Sequence, residues 1–117
     1  MTATPAEAVD GFFTAWKAND FEPLRALLAD DVLFVGPIDR IDSADAVVEG
    51  ITAMGQMVDD VVIHKVWVDG ADVLVWYDLY TKIAEPAPVA EWYHVEEGKI
   101  TSIHSVFDVR PFAPPSD

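Results

Sequence analysis

Apolar residues recur at two spacings along this chain, and the spacing changes after Asp60. Before it, apolar positions lie three and four residues apart, which predicts helices. Thr4 and Glu7 match a capping box, and Pro5 stands at the first helical position. Helix 1 is therefore expected to begin there and to bury a stripe made of Val9, Phe12, Phe13 and Trp16.

Two more helices and a short strand complete the predicted N-terminal half. A short second helix is expected through Leu24 and Leu28. The apolar run 32–35, followed by Gly36-Pro37, predicts a strand. Ser43 can cap a third helix, whose apolar positions are Val47, Val48, Ile51, Met54 and Met57.

The second half is rich in β-branched and aromatic residues and predicts four long strands. Turn signals at Asp69-Gly70 and Glu97-Gly98 favour antiparallel neighbours. The strands are expected at 61–68, 72–82, 89–96 and 99–109. Helices followed by antiparallel strands predict one α+β domain over residues 1–117, with about three N-terminal helices on one face of a curved sheet and a loose tail at about 111–117.

The predicted sheet is apolar on both faces. In the segment 73–77, neighbouring residues point to opposite sides, yet none of them is charged. The outer face must therefore be covered as well as the inner one. A homodimer with two-fold symmetry would cover it, and a face shielded only by loops is the alternative left open.

Composition limits the classes of partner and of site. The 117 residues, 51% of them hydrophobic, suffice for one core. With 21 acidic residues against 7 basic ones, the net charge of -14 disfavours nucleic acids and anionic membranes as partners. The absence of cysteine excludes disulfides, thiolate metal sites and a cysteine nucleophile. Neither an export signal nor a membrane span of about 20 apolar residues is apparent, so a cytoplasmic protein is expected.

Three strings of residues, taken in order, resemble the nuclear transport factor two-like superfamily. They are 27–32 leading to Gly36-Pro37, 92–95 before 98–100, and the ending 107–110. The resemblance spans essentially the whole chain and points to the ketosteroid isomerase, SnoaL-like polyketide cyclase and limonene-epoxide hydrolase branches. It implies a cone-shaped roll with a pocket between sheet and helices, commonly dimeric through the outer sheet face.

The resemblance to ketosteroid isomerases carries over only in part. Those enzymes place a carboxylate base before the proline that ends the first strand, where this chain has Gly36. Their enolate-binding tyrosine would fall near Phe12, which cannot donate a hydrogen bond. Their second oxyanion partner, an aspartic acid, corresponds to Glu91. Steroid isomerisation by the usual route is therefore not expected.

The similarity to limonene-epoxide hydrolases lies in the strings 75–79 and 103–110. Those enzymes activate water with two aspartates and an arginine. The resemblance puts Asp78 at one aspartate position, Trp76 at the arginine position and Ser105 at the second aspartate position. One group of the three is retained.

Strand alternation predicts which side chains share a pocket wall. If Glu91 points inward, so does Tyr93; if Asp78 points inward, so do Trp76 and Tyr80. A mostly aromatic wall with a few polar groups suits a flat apolar ligand. The expected ligand-binding residues are Phe12, Trp16, Phe34, Trp76, Tyr80, Tyr93, Ser105 and Phe107.

Asp78 and Glu91 are the candidate catalytic residues. Burial and a like-charged neighbour both raise the pKa of a carboxyl, so a buried pair could supply a general acid and a general base at neutral pH. The expected chemistry is proton transfer on, or water addition to, a small apolar substrate. The alternative is that Asp78 lies on the outer face and Glu91 near a solvated rim.

Other kinds of site have less support. Alternation directs His94 and His104 to the face opposite Glu91, so convergence with His64 and a carboxylate on zinc is not expected. No serine triad, nucleotide fingerprint or glycine-rich phosphate loop is recognised, and no cofactor or metal is expected. The sequence favours a SnoaL-like small-molecule-binding protein, as an isomerase, cyclase or hydrolase. A non-catalytic ligand-binding or protein-interaction module of the same fold is the alternative.

Overall fold

A computed structural model of the protein describes residues 2–112, and its first half contains the three expected helices. These are α1 (Pro5–Lys17), α2 (Phe21–Ala26) and α3 (Ala44–Met54). The predicted capping box forms, because the Thr4 hydroxyl accepts from the Glu7 backbone N–H and the Glu7 carboxylate accepts from the Thr4 backbone N–H. Ser43 caps α3 by accepting from the Ala46 N–H.

Six strands form one sheet in the order β2-β1-β6-β5-β4-β3. They are β1 (Leu28–Val35), β2 (Arg40–Ile41), β3 (Val58–Asp69), β4 (Asp72–Thr81), β5 (Ala87–Glu96) and β6 (Lys99–Phe107). Strand β1 runs parallel to β6, and the other neighbours are antiparallel. Three helices on a curved, unclosed sheet confirm the α+β prediction.

The structure corrects several predicted boundaries. Strand β1 begins at Leu28, which had been expected in the second helix, because the Leu27 carbonyl accepts from the Ile100 N–H and starts the pairing with β6. The segment between Pro37 and Ser43, for which no strand had been predicted, contains β2, which pairs with β1. A 3-10 turn spans Arg110–Phe112, and the rest of the predicted loose tail lies outside the described residues.

The core lies between the helices and the concave face of the sheet. Phe12, Phe13 and Trp16 of α1 are buried there, as their spacing predicts. Phe13 meets the rings of Tyr77 and Tyr93 edge-on, at centroid distances of 5.3 and 5.9 Å. These contacts hold α1 against β4 and β5 and leave room for a pocket beside them.

The convex face of the sheet carries large apolar side chains in contact with water. Exposed examples from three strands are Leu74, Trp76, Trp92 and Val106. The expectation of a sheet that is apolar on both faces is therefore met. Along the part of the chain that the structure describes, no helix combines the length and the apolar character needed to cross a membrane.

Candidate active site

An open pocket of about 320 Å³ lies between the concave face and α1, α3 and the turn that joins β1 to β2. Its wall is almost entirely apolar and aromatic. Of the expected ligand-binding residues, the structure brings six to this wall: Phe12, Trp16, Phe34, Tyr93, Ser105 and Phe107. Glu91 lines it as well.

Glu91 stands at the centre of a buried polar cluster. The residue is 7% exposed, and one of its carboxylate oxygens accepts a hydrogen bond from the Tyr93 hydroxyl. The hydroxyls of Ser105 and Tyr77 also donate to it. Ser105 is the direct cross-strand partner of Glu91 on β6, and Tyr93 lies two positions along β5 on the same face. The pleat of three neighbouring strands therefore gathers the cluster.

Burial sets the protonation behaviour of this cluster. Loss of solvation raises the pKa of Glu91 above its ordinary value, although the hydrogen bonds from Tyr93, Ser105 and Tyr77 oppose the rise. Burial, reinforced by the nearby Glu91, raises the pKa values of Tyr77 and Tyr93 well above their ordinary value. The two phenols therefore keep their protons and remain hydrogen-bond donors at neutral pH.

The prediction that Asp78 points into the pocket is wrong, and so are the same predictions for Trp76 and Tyr80. On β4 the odd-numbered residues face inward and these three face outward, where Trp76 is 43% and Tyr80 37% exposed. Asp78 lies opposite Pro88 on β5, and Glu91 lies opposite Val75. Because paired residues share a face, Asp78 and Glu91 must occupy opposite sides of the sheet.

The two acids therefore do not form a pair. The Asp78 carboxylate instead accepts a hydrogen bond from His64 Nε2 at 2.9 Å on the outer face. The pKa of Glu91 is raised by its own burial rather than by a neighbouring carboxylate. The alternative considered for Asp78, an outer-face position, is the one observed, whereas Glu91 lies deep inside rather than near a solvated rim.

Three polar pocket residues, Tyr77, Thr81 and Asp39, were missed by the sequence analysis. Tyr77 donates to Glu91, but it had been counted only as part of an apolar strand. Asp39 lines the mouth of the pocket at the tip of the β1–β2 hairpin, where its carbonyl accepts from the Gly36 N–H at 2.8 Å. If Glu91 points inward, the β4–β5 register puts its partner Val75, and therefore Tyr77, on the inner face as well. The position of Asp39 depends on the pairing of the two-residue strand β2 with β1, and so short a strand has no recognisable pattern in the sequence.

The three histidines lie on the outer face. His94 Nδ1 lies 2.7 Å from an Asp72 carboxylate oxygen that also accepts from the indole N–H of Trp92. His104 stacks on Trp92 with a centroid distance of 5.2 Å. Within residues 2–112, no three histidine, aspartate or glutamate side chains are arranged to hold a metal ion.

The fold is shared with known proteins. The model of the SnoaL-like domain family matches residues 9–103. An NTF2-like protein of unknown function from Cytophaga hutchinsonii is 27% identical, with a TM-score of 0.86 and 96% of each chain covered. An LEH-like epoxide hydrolase from M. tuberculosis is 28% identical, with a TM-score of 0.78, covering 90% of this chain and 83% of its own.

A candidate ketosteroid isomerase from Kribbella flavida shares the fold at 19% identity. Its TM-score is 0.81, and the match covers 100% of this chain and 87% of that one. A search of curated proteins gave no match.

Proposed function

Because this chain belongs to the SnoaL-like domain family of the NTF2-like superfamily, we propose that its pocket binds a small, largely apolar molecule and catalyses proton transfer on it without a cofactor. The structural neighbours include proteins named as isomerase, cyclase and hydrolase, so the fold alone does not select a reaction. The proposed reaction is inferred instead from the polar groups inside this pocket.

The observation that carries the proposal is a buried glutamic acid in an otherwise apolar wall. A carboxyl with a raised pKa retains its proton to higher pH than an ordinary glutamic acid does. Such a group can donate a hydrogen bond to a ligand oxygen and stabilise negative charge that develops there. The hydroxyls of Tyr93, Ser105 and Tyr77 hold the Glu91 carboxyl in place, and in its protonated form the carboxyl has one O–H that can donate to a ligand.

Asp39 is the other acidic residue that lines the pocket. It lies at the mouth and is exposed to water, whereas Glu91 lies at the buried end. A ligand whose oxygen meets Glu91 would present its remaining carbon atoms toward the mouth. We therefore assign Glu91 the role of hydrogen-bond donor and Asp39 the role of proton acceptor. An isomerase-type reaction at a carbon next to a carbonyl group fits this division.

Water addition to an epoxide by the route of the limonene-epoxide hydrolases has little support. That route uses two aspartates and an arginine, and the corresponding Asp78 and Trp76 lie on the outer face. Ser105 lies in the pocket, where its hydroxyl donates to Glu91. The 28% identity to the M. tuberculosis epoxide hydrolase therefore extends to the fold without that catalytic set.

The test is exchange of a carbon-bound proton. β-Tetralone, a bicyclic ketone that fits an apolar pocket, is incubated with the protein in D₂O, and deuterium at the carbon next to the carbonyl is followed by NMR. Wild-type protein should accelerate exchange over buffer, and both Glu91→Gln and Asp39→Asn should reduce the enzymatic rate at least about tenfold. Asp78→Asn is the matched control and should retain the rate. Equal exchange with and without protein would reject this chemistry for such ketones.

A non-catalytic ligand-binding module is the second candidate. It is favoured by the fact that the hydroxyls of Tyr77, Tyr93 and Ser105 all bond to Glu91, which leaves the cluster internally satisfied. In that case β-tetralone should raise the melting temperature by binding the native state, with no exchange above the buffer rate.

A further inference from the structure

The residues that line the pocket differ in exposure, and the difference locates its opening. Most of the described lining residues are buried or half-buried. The exposed ones come from two stretches of chain: the β1–β2 turn supplies Pro37, Ile38 and Asp39, and α3 with the turn after it supplies Gly50 and Met57. The mouth of the pocket therefore lies between the β1–β2 turn and the C-terminal half of α3.

The mouth is mostly apolar. Ile38 is 61% and Met57 39% exposed, although each also lines the pocket. A single exposed apolar side chain is common on protein surfaces. Two large ones that border the same opening, from two separate segments, instead continue the apolar wall of the pocket out to the solvent. Asp39 is the one charged residue among the exposed lining residues.

The polar groups of the pocket are concentrated at its buried end. Glu91, Tyr77, Tyr93 and Ser105 are all buried, and the three hydroxyls donate to the Glu91 carboxyl. The half-buried part of the wall, between this cluster and the mouth, is mainly apolar and includes Phe34, Ile41, Ile51, Met54, Val58 and Phe107. The pocket thus offers hydrogen bonds at its inner end and mainly apolar surface from there outward.

The volume of the pocket limits what it can enclose. At about 320 Å³ it lies at the lower end of the range of about 300–1,000 Å³ that small-molecule sites occupy. A ligand with its oxygen at Glu91 and a long carbon skeleton cannot be enclosed completely. Its outer carbon atoms must pass through the mouth, where Ile38 and Met57 can cover them.

We propose that the ligand is an amphiphilic molecule, with an oxygen-bearing head at Glu91 and an apolar tail that leaves the pocket past Ile38 and Met57. These two residues determine specificity for the tail, because contact with them removes its carbon atoms from water. A compact ligand would leave both side chains in contact with water. This rests on the proposed binding function of the pocket and is independent of any catalytic role.

The test compares β-tetralone with 6-hexyl-β-tetralone, which has the same head and carries a six-carbon tail on the side of the ring system away from the carbonyl group. Each methylene taken out of water is worth about fourfold in affinity, so even partial burial of the tail is measurable. Wild-type protein should bind the hexyl compound at least about tenfold more tightly than β-tetralone. Isothermal titration calorimetry measures both dissociation constants.

Variants at the mouth show where the preference arises. Ile38→Ser and Met57→Ser should each reduce it at least about threefold, while the affinity for β-tetralone stays within about twofold of wild type. Ile38→Leu keeps an apolar side chain of the same size and should keep the preference. Melting temperatures close to that of the wild-type protein show that the variants are folded.

Val68→Ser is the matched control. It also removes an exposed apolar side chain, since Val68 is 54% exposed. Val68 lies near the far end of β3, whereas Met57 immediately precedes the start of that strand at Val58. The distance along the strand from Val58 is ~33 Å, so this variant should bind both compounds as the wild-type protein does.

Each outcome bears on the proposal. A preference that persists in the Ile38→Ser, Met57→Ser double variant, or one that Val68→Ser reduces equally, overturns the assignment of the tail to the mouth. Equal wild-type affinity for the two compounds overturns the amphiphilic ligand and leaves the binding function of the pocket intact. If neither compound binds, the proposed function is overturned together with this inference.

Discussion

The Oδ2 atom of Asp78 lies 2.9 Å from Nε2 of His64 on the convex face of the sheet. The two residues stand on neighbouring strands, and both side chains are partly exposed to water. Glu91, on the next strand, points to the opposite face. The sheet itself therefore separates the two carboxyls that had been expected to cooperate.

Replacing Asp78 should leave the pocket unaffected. Because a hydrogen bond between two partly exposed side chains contributes little, Asp78→Asn should change the free energy of unfolding by less than about 1 kcal/mol. Ligand affinity and any proton exchange should stay at the wild-type level. Chemical denaturation and calorimetry measure the two quantities, and Glu91→Gln is the contrasting variant. A tenfold loss of ligand affinity or proton exchange in Asp78→Asn would contradict this prediction, since it would show that an acid on the convex face affects the pocket on the other side of the sheet.

Glu91 should make stability depend on pH in a defined direction. Its pKa is higher in the folded protein than in the unfolded chain, so the folded state binds more protons above the ordinary value of 4.5. The free energy of unfolding should therefore fall as pH rises from that value through the raised pKa. Each unit of upward displacement corresponds to about 1.4 kcal/mol.

The matched comparison is with Glu91→Gln, which cannot titrate and can still accept hydrogen bonds through its amide oxygen. The net charge of -14 adds its own pH dependence to both proteins, so the difference between them isolates Glu91. Urea denaturation at a series of pH values gives that difference. A difference that is constant from acid to mildly alkaline pH would contradict the raised pKa.

Much of the helical part could be predicted because its determinants are local. The capping residues of α1 and its aromatic stripe lie within one segment, and the structure places them as expected. The face of β4 could not be predicted, since Val73 to Tyr77 are apolar on both sides and only the pairing of Val75 with Glu91 assigns them. The early start of β1 likewise depends on Ile100, far along the chain.

Substitutions of Gly50 test whether ligands enter the pocket beside α3. It lies in the interior of α3 and lines the pocket, and an added Cβ would meet no atom within 4 Å. Glycine within a helix is unfavourable relative to alanine, so Gly50→Ala should stabilise the fold by about 0.5–1 kcal/mol. Gly50→Phe should instead fill part of the pocket and weaken the binding of β-tetralone. Thermal unfolding and calorimetry distinguish the two effects, and equal ligand binding by both variants would place the entrance elsewhere.

The apolar convex face should be the interface of a homodimer. Trp76, Trp92 and Val106 stand there exposed, and isolated surface residues do not form such a contiguous group. Two copies that each carry a charge of -14 repel one another, so dimerisation should strengthen as salt screens that repulsion.

Val106→Asp, at a side chain 69% exposed, should give a monomer without loss of the fold. Ile83→Asp, at a comparably exposed residue of the β4–β5 connection, is the control and should remain dimeric. Sedimentation velocity across a dilution series at low and high salt measures both, and a wild-type protein that sediments as a monomer at high salt would show that the face is not used between copies.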